Sequence, residues 1–480
     1  MNIKCLIGMI SMGLSLSCTE LKDAQNTDDS YPAIFPDYTF TAVPCNIAPL
    51  NFEVENAENV RADFSSENTH LLTVTGKREI CIPEDKWHAM LEKLKDKDLQ
   101  VAVSVWNASH PKGVKYKPFT IRIASDAIDG WIAYRLIEPG YEGWNAMGIY
   151  QRNLTSFEEK EIMTNRADKG SCLNCHSFAA YSPDRMMLHV RGKNGGTALW
   201  MNGKLSKVAL NQIGPKKNGS YPMWHPAGRY IAFSSNETKQ SFYSEGEKQI
   251  EVYDLQSDLI IYDTQTGKVL SDSRFMESSH WETFPAWSMD GKWLYYCSAL
   301  ARQIPAGLKQ LKYSLCRVGF DGATGMLGER IDTLYNAERG GGSASYPRIS
   351  PDGQYLLYTK AAFGTFPIHH QESDLKMLRL MDGTEMDTAI LNSGEADSYH
   401  AWSSNSRWIL FSSRRIDGRY TRIFIAWMDA QGKLHKPFLL PQRSPEHNVL
   451  RMKSYNIPEF IKGEVCLPKG EMNSSFFPKD

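Results

Sequence analysis

The sequence predicts an all-β chain in which a series of four-stranded sheets, built from one repeated unit, follows a small β-sandwich-like domain with one helix. Two observations carry this. Over residues 51–124 apolar residues alternate in short runs, the period of half-buried strands. From about residue 177 a unit of strand, tight turn and apolar strand recurs. A third feature, Cys172-Leu173-Asn174-Cys175-His176, lies where the two patterns meet.

In chain order, residues 1–18 read as an export signal. Lys4 supplies the positive end, Leu6 to Leu16 the apolar stretch, and Ser17 a small residue before Cys18. Leu14-Ser15-Leu16-Ser17-Cys18 resembles the lipobox of bacterial lipoproteins, which implies lipidation of Cys18. Cleavage without lipid is the alternative, because the leucine stands one place further from the cysteine than usual. Residues 19–32 are polar, with Glu20, Asp23, Asp28 and Asp29, and are expected to form a flexible tether. No later segment offers the eighteen or so apolar residues of a membrane span, so the membrane contact expected is the lipid at the amino terminus.

Residues 33–129 form the expected β-sandwich-like domain, with strands around Phe52 and Val54, Leu72 and Val74, Val101 to Val105, and Phe119 to Ile123. Glu84 and Asp85 open a helix whose Trp87, Met90, Leu91 and Leu94 recur at helical spacing as a core stripe. Residues 130–176 are a junction rich in aromatics, including Trp131, Tyr134, Tyr141, Trp144 and Tyr150.

The junction ends on the pentapeptide. Two thiols and an imidazole at this spacing are what covalent haem c attachment requires: the cysteines form thioethers to the vinyl groups and the histidine ligates the iron. A redox dithiol would need a thioredoxin-like βαβ context, and a zinc site a second ligand pair at finger-like spacing. Neither is present. The expectation is one haem c, with Cys172 and Cys175 bonded to it and His176 as the proximal ligand. Export agrees, since bacteria form these thioethers outside the cytoplasmic membrane.

The repeats then follow. Ser220-Tyr221-Pro222-Met223-Trp224 leads into a Pro-Ala-Gly turn and Tyr230 to Ser235. The plan returns at Thr283 to Trp287 with Met289-Asp290-Gly291-Lys292, at Ser345-Tyr346-Pro347 with Ser350-Pro351-Asp352-Gly353, and at Ser398 to Trp402 with Ser404-Asn405-Ser406. Ser177 to Asp184 aligns as the first copy and Ser454-Tyr455 as a partial sixth. This resembles the TolB-like β-propeller repeat, an aromatic-Pro-x-Trp-Ser-Pro-Asp-Gly-Lys strand and turn followed by an apolar strand ending in serines. The resemblance covers residues 177–467 and implies six blades, with a tail at 468–480. Too little sequence follows the sixth start for four strands, so strands near Trp131 to Leu136 or Met147 to Tyr150 are expected to close the ring. On this alignment His176 directly precedes the first blade, over one mouth of the central channel, and matches Gly219, Glu282, Ala344, Asp397 and Lys453.

The distal ligand is open. Met187 and His189 share one face of the expected strand, Met186 takes the other, and Met147 and Met163 lie upstream. A methionine or histidine in the sixth position implies electron transfer, with the propeller as docking platform for a redox partner. An open position implies an interaction or sensor protein, or a peroxidase. A formal charge of −1 gives no field for nucleic acid. Lys216-Lys217 and Arg414-Arg415 read as solvated loop charges, and His369-His370 as an exposed pair. No Gly-x-Ser-x-Gly elbow is present, and Gly340-Gly341-Gly342-Ser343 lacks the context of a phosphate loop. In an oxidising compartment Cys45 with Cys81 and Cys297 with Cys316 are candidate disulfides, leaving Cys466 unpaired.

Overall fold

The structure is a computed structural model that describes residues 21–138, 146–167, 170–192, 195–210, 219–244 and 250–468. The signal with Cys18, and Tyr141, Trp144, Lys216, Lys217 and most of the carboxy-terminal tail, lie outside these residues.

Strands dominate, and the second part of the chain is a β-propeller. Its sheets follow one another along the sequence, each antiparallel and four-stranded, beginning with Cys172–Phe178, Ser220–Trp224, His280–Trp287, Ser343–Ile349 and Asp397–Trp402. A further sheet takes Trp131–Ile137, Gly148–Asn153 and Glu159–Thr164 from before this run and Ser454–Ile461 from after it. The first-named strands touch in sequence order, and Ser454–Ile461 touches both Asp397–Trp402 and Cys172–Phe178. These six strands are the inner ones.

A shared irregularity fixes their register. Each inner strand slips against its neighbour at one place: between Asn174 and Ser177, Ser220 and Met223, Thr283 and Ala286, Ser345 and Arg348, and Ser398 and Ala401. In the closing sheet the slip falls between Asn456 and Glu459. The residue after each slip begins has positive φ: Cys175 48°, Tyr221 48°, Phe284 53°, Tyr346 54°, Tyr399 49° and Ile457 47°. Left-handed backbone costs a non-glycine residue about 1–2 kcal/mol. Here it is offset by packing, because the rings gather: Tyr221 and Phe284 centroids are 4.4 Å apart, Phe284 and Tyr346 4.1 Å, and Tyr346 and Tyr399 5.0 Å. Offset and edge contacts of this kind stabilise beyond their buried area.

Sheets are also tied by the repeat tryptophans. Trp287 Nε1 donates to the Met223 carbonyl at 3.0 Å and Trp402 Nε1 to the Arg348 carbonyl at 3.1 Å, each across to the preceding sheet. The turns are locked by a serine hydroxyl that donates to the acidic or amide residue two places on: Ser288 to Asp290, Ser350 to Asp352 and Ser403 to Asn405, all at 2.6 Å. Asn405 thus fills the aspartate's place. At the divergent turn His225 accepts from the Ala227 backbone at 3.2 Å.

The first part of the chain holds a seven-stranded sheet, a three-stranded sheet and the helix Glu84–Lys93, which buries Trp87, Met90 and Leu91. The segment expected to be a flexible tether contributes a strand, Asn26–Asp28, paired in parallel with Val114 to Tyr116. Three residues of edge pairing, with Asp23 Oδ1 2.9 Å from Arg61, draw it onto the domain. One hydrophobic core runs from Val60, Phe64 and Trp87 into Trp408, Ile425 and Phe460 of the propeller. Trp408 and Trp427 donate to Asp126 at 3.0 Å, and Ser404 to Asp129 at 2.7 Å.

Cys45, Cys81, Cys297 and Cys316 are all free thiols. Cys297 and Cys316 are one residue out of register on adjacent strands, opposite Leu315 and Tyr296 respectively, so their side chains leave the sheet on opposite faces. The expected pairing is therefore closed to them. Cys45 instead approaches the Ser125 carbonyl at 3.4 Å, and Cys81 the Glu79 carboxylate at 3.9 Å.

Candidate cofactor site on the propeller axis

The pentapeptide lies inside an inner strand. The shared slip makes Asn174, and not Ser177, the equivalent of Ser220, and Asn456, and not Ser454, the equivalent of Ser398. His176 therefore does not precede the first repeat. It occupies the place of Pro222, Pro285, Pro347, His400 and Pro458, while Gly219, Glu282, Ala344 and Asp397 match Leu173. The sequence misled because Ser177-Phe178 and Ser454-Tyr455 each imitate the polar-aromatic start.

Cys175 consequently holds the axial position that carries an aromatic ring in four of the other sheets and Ile457 in the closing one. It is 2 % exposed. Cys172 and Asn174 line a cavity of about 160 Å³ at one mouth of the channel. His176 is buried and turned elsewhere: its Nε2 is 3.8 Å from Oε2 of Glu459, which lines a cavity at the opposite mouth with Trp224, Trp287 and Trp402. Burial pushes the His176 pKa down to about 3, helped by the charge of Arg135, and the Ala133 backbone opposes this only in part. Burial also pushes Glu459 up to about 8, against the attraction of Arg348. At neutral pH both groups are uncharged, and no ion pair forms between them.

This strand is short of partners. Among the described residues neither ring nitrogen of His176 makes a hydrogen bond of ordinary geometry, and Ser177 Oγ makes none. Nor does Trp224 Nε1, although the pattern of Trp287 and Trp402 would have it donate to the Ser177 carbonyl. Buried polar groups are normally paired, so four orphans around one strand are unusual.

The donors suit haem c in kind: two thiols at the required spacing and an imidazole whose nitrogens make no hydrogen bond of ordinary geometry. In arrangement they are spread along a strand, with Cys172 facing one cavity and His176 facing Glu459 beside the other. Of the distal candidates, Met147 lines the same cavity as Cys172, and its sulfur accepts from the Leu173 backbone at 3.3 Å. Met186 and Met187 are buried on opposite faces of the neighbouring strand in two separate cores. His189 is buried, bonds Thr197 Oγ1 at 3.0 Å, and has its pKa lowered to about 4 by that burial. Met163 packs in the core that holds Met147 and Cys172.

Several polar residues matter more than their sequence suggested. Arg415 is not a solvated loop charge: it pairs with buried Asp397 at 2.7 Å. Arg414 lines the cavity beside His369, and Arg135 and Arg191 line it too. His370 is buried between Glu251 and Glu372, 3.2 Å from each. Arg135 bonds Asn174 and, at 3.1 Å, Asn456, so one guanidinium bridges two inner strands. A charge inside the apolar run Trp131 to Ile137 was the one available signal for it.

No protein-family model and no curated protein matches this sequence. Among solved structures, a puromycin-hydrolyzing peptidase of Mycobacterium tuberculosis is 10 % identical over 70 % of this chain, with a TM-score of 0.36. The match spans half of that peptidase. An oligogalacturonate lyase of Vibrio parahaemolyticus is 10 % identical over 62 % of this chain and 92 % of its own, with a TM-score of 0.33. A β-propeller domain of Myceliophteria thermophila is 11 % identical over 55 % of this chain and 85 % of its own, with a TM-score of 0.29. Likeness at this level says nothing of activity.

Proposed function

We propose that this chain is an exported, lipid-anchored c-type cytochrome. Its propeller has six blades of the TolB-like kind and carries one haem, bonded through Cys172 and Cys175 with His176 on the iron. Haem held in this way would supply one-electron transfer. The propeller then serves as the docking platform for a redox partner, and Cys18 holds the assembly to a membrane. The described residues include no helix long and apolar enough to cross one.

The observation that carries the reading is a buried imidazole that makes no hydrogen bond of ordinary geometry, on the same strand as two thiols. Bringing all three donors to one porphyrin face requires Cys172–Phe178 to leave part of its pairing with Arg185–Arg191, and the orphaned groups mark where that strand is held least. Met147, which lines the same cavity as Cys172 and accepts from the Leu173 backbone, supports a sixth ligand and so electron transfer over sensing.

The test is to produce the chain with haem c maturation machinery and measure intact mass, followed by a pyridine haemochrome spectrum. The expected result is one added haem, lost in Cys172→Ala/Cys175→Ala. Mature protein with no added mass and two alkylatable thiols overturns the reading. In loaded protein a low-spin spectrum unchanged by carbon monoxide, turning high-spin in Met147→Ala, is expected. A high-spin wild-type spectrum that responds to carbon monoxide assigns sensing or catalysis instead.

A further inference from the structure

Three guanidiniums meet at the channel mouth that Cys172 lines. Arg135 comes from the closing sheet, Arg191 from the strand beside the pentapeptide, and Arg414 from just beyond Trp408–Ser413. Each spends some donors on neutral groups: Arg135 on Asn174 and Asn456, Arg191 on Ser220 Oγ at 2.6 Å, and Arg414 on His369 Nδ1 at 3.3 Å. The Nε of each is buried and has no partner among the described residues. None forms an ion pair with a described carboxylate; Glu138 in the same cavity is held by Lys453 at 2.7 Å through Oε1 and leaves Oε2 unbonded, and Glu395 and Asp417 offset part of the charge of Arg414. Asp254 sits behind the wall, bonded to Thr238 and Asn236 at 2.7 and 2.8 Å, and offsets part of the charge of Arg191.

Gathering several cations with no carboxylate bonded directly to them is costly, and guanidinium forks match carboxylates two bonds at a time. Ile137, Ile250, Val252, Phe366 and Ile368 line the same cavity and give it an apolar part. We infer that this mouth binds an amphiphilic dicarboxylate, an apolar body with two carboxylates that Arg135, Arg191 and Arg414 receive. At about 160 Å³ the space admits a small ligand or one edge of a larger one, below the usual range for whole drug-sized molecules.

Two sources share this chemistry: the propionate edge of a tethered porphyrin, or a free dicarboxylate. The first rests on the function proposed above and the second does not. The experiment uses full-length mature chain in two forms, haem-free and haem-loaded, titrated calorimetrically with phthalate and with uncharged phthalamide. Saturable phthalate binding to the haem-free form, absent for phthalamide and weakened at least tenfold in Arg191→Gln and Arg414→Gln, is expected. Arg191→Lys and Arg414→Lys, which keep the charge and the fold, should bind severalfold more weakly than wild type. No saturable binding, equal binding of phthalamide, or affinity unchanged in the glutamine variants overturns the inference. Given binding, its loss in the haem-loaded form supports the porphyrin source and its retention the free one. If no haem attaches, the cytochrome reading fails while the haem-free titration still decides this one.

Discussion

A carboxylic acid kept from water, with no cation bonded to it, holds its proton, and Glu459 is in that position with its pKa pushed to about 8. The folded state therefore binds a proton that the unfolded chain has released above about pH 4.5. The contribution is whole below that value and is lost as pH rises to about 8. Between about pH 6.5, where the buried histidines no longer oppose it, and 8.5, unfolding free energy should fall, and Glu459→Gln should flatten the fall by about 2 kcal/mol, read by urea denaturation across pH. Glu282, also pushed to about 8 by burial, adds to the slope, so the variant removes part of it. His176 works in the opposite sense. Its folded pKa of about 3 means that stability present above about pH 6.5 is lost on acidification toward 3. In haem-free protein His176→Asn should have a shallower acid limb than wild type. At this scale the sequence was least informative. Arg414 and His370 read as surface residues because the groups that enclose them are distant in sequence, Tyr399 on the strand paired beside Arg414 and Glu251 on another sheet.

The repeated turn fixes each strand pair by a few bonds whose cost of removal can be stated. Gly353 has φ +75° and open space around its missing Cβ, so Gly353→Ala should destabilise by about 1–2 kcal/mol through backbone strain alone. At the matching place Ser406 has φ +62°, but its hydroxyl accepts from the Asp352 backbone at 2.9 Å on the neighbouring sheet. Ser406→Gly relieves the strain and loses the bond, and the two are of similar size, so its midpoint in urea should change by less than the equivalent of about 1 kcal/mol. These turns were legible because serine with aspartate or asparagine two places on is a local device that repeats in the sequence. The register of the pentapeptide was not. A thiol stands where the other sheets place bulky side chains, and Phe178, three residues later, offered a false match.

Closure of the ring depends on one strand. Ser454–Ile461 pairs with Trp131–Ile137 in the closing sheet and packs against the neighbouring inner strands on both sides. Truncation before Ser454 would expose those edges together, and such a chain should show no cooperative thermal transition by near-ultraviolet circular dichroism. Because the shared core joins the first domain to Trp408, Ile425 and Phe460, intact protein should unfold in one step, with near- and far-ultraviolet signals coinciding. The need for an early strand to complete the last sheet was readable from length alone. The continuity of the core was not, since it joins residues hundreds of positions apart.

That same strand imposes an order on biogenesis. Trp131–Ile137 emerges from the ribosome several hundred residues ahead of the segment that completes its sheet, a lag of roughly tens of seconds at ordinary elongation rates. Until Ser454–Ile461 is in place, on whichever side of a membrane the chain folds, the early portion keeps an unsatisfied edge, and Cys172 and Cys175 are reached most easily before the circle shuts around them.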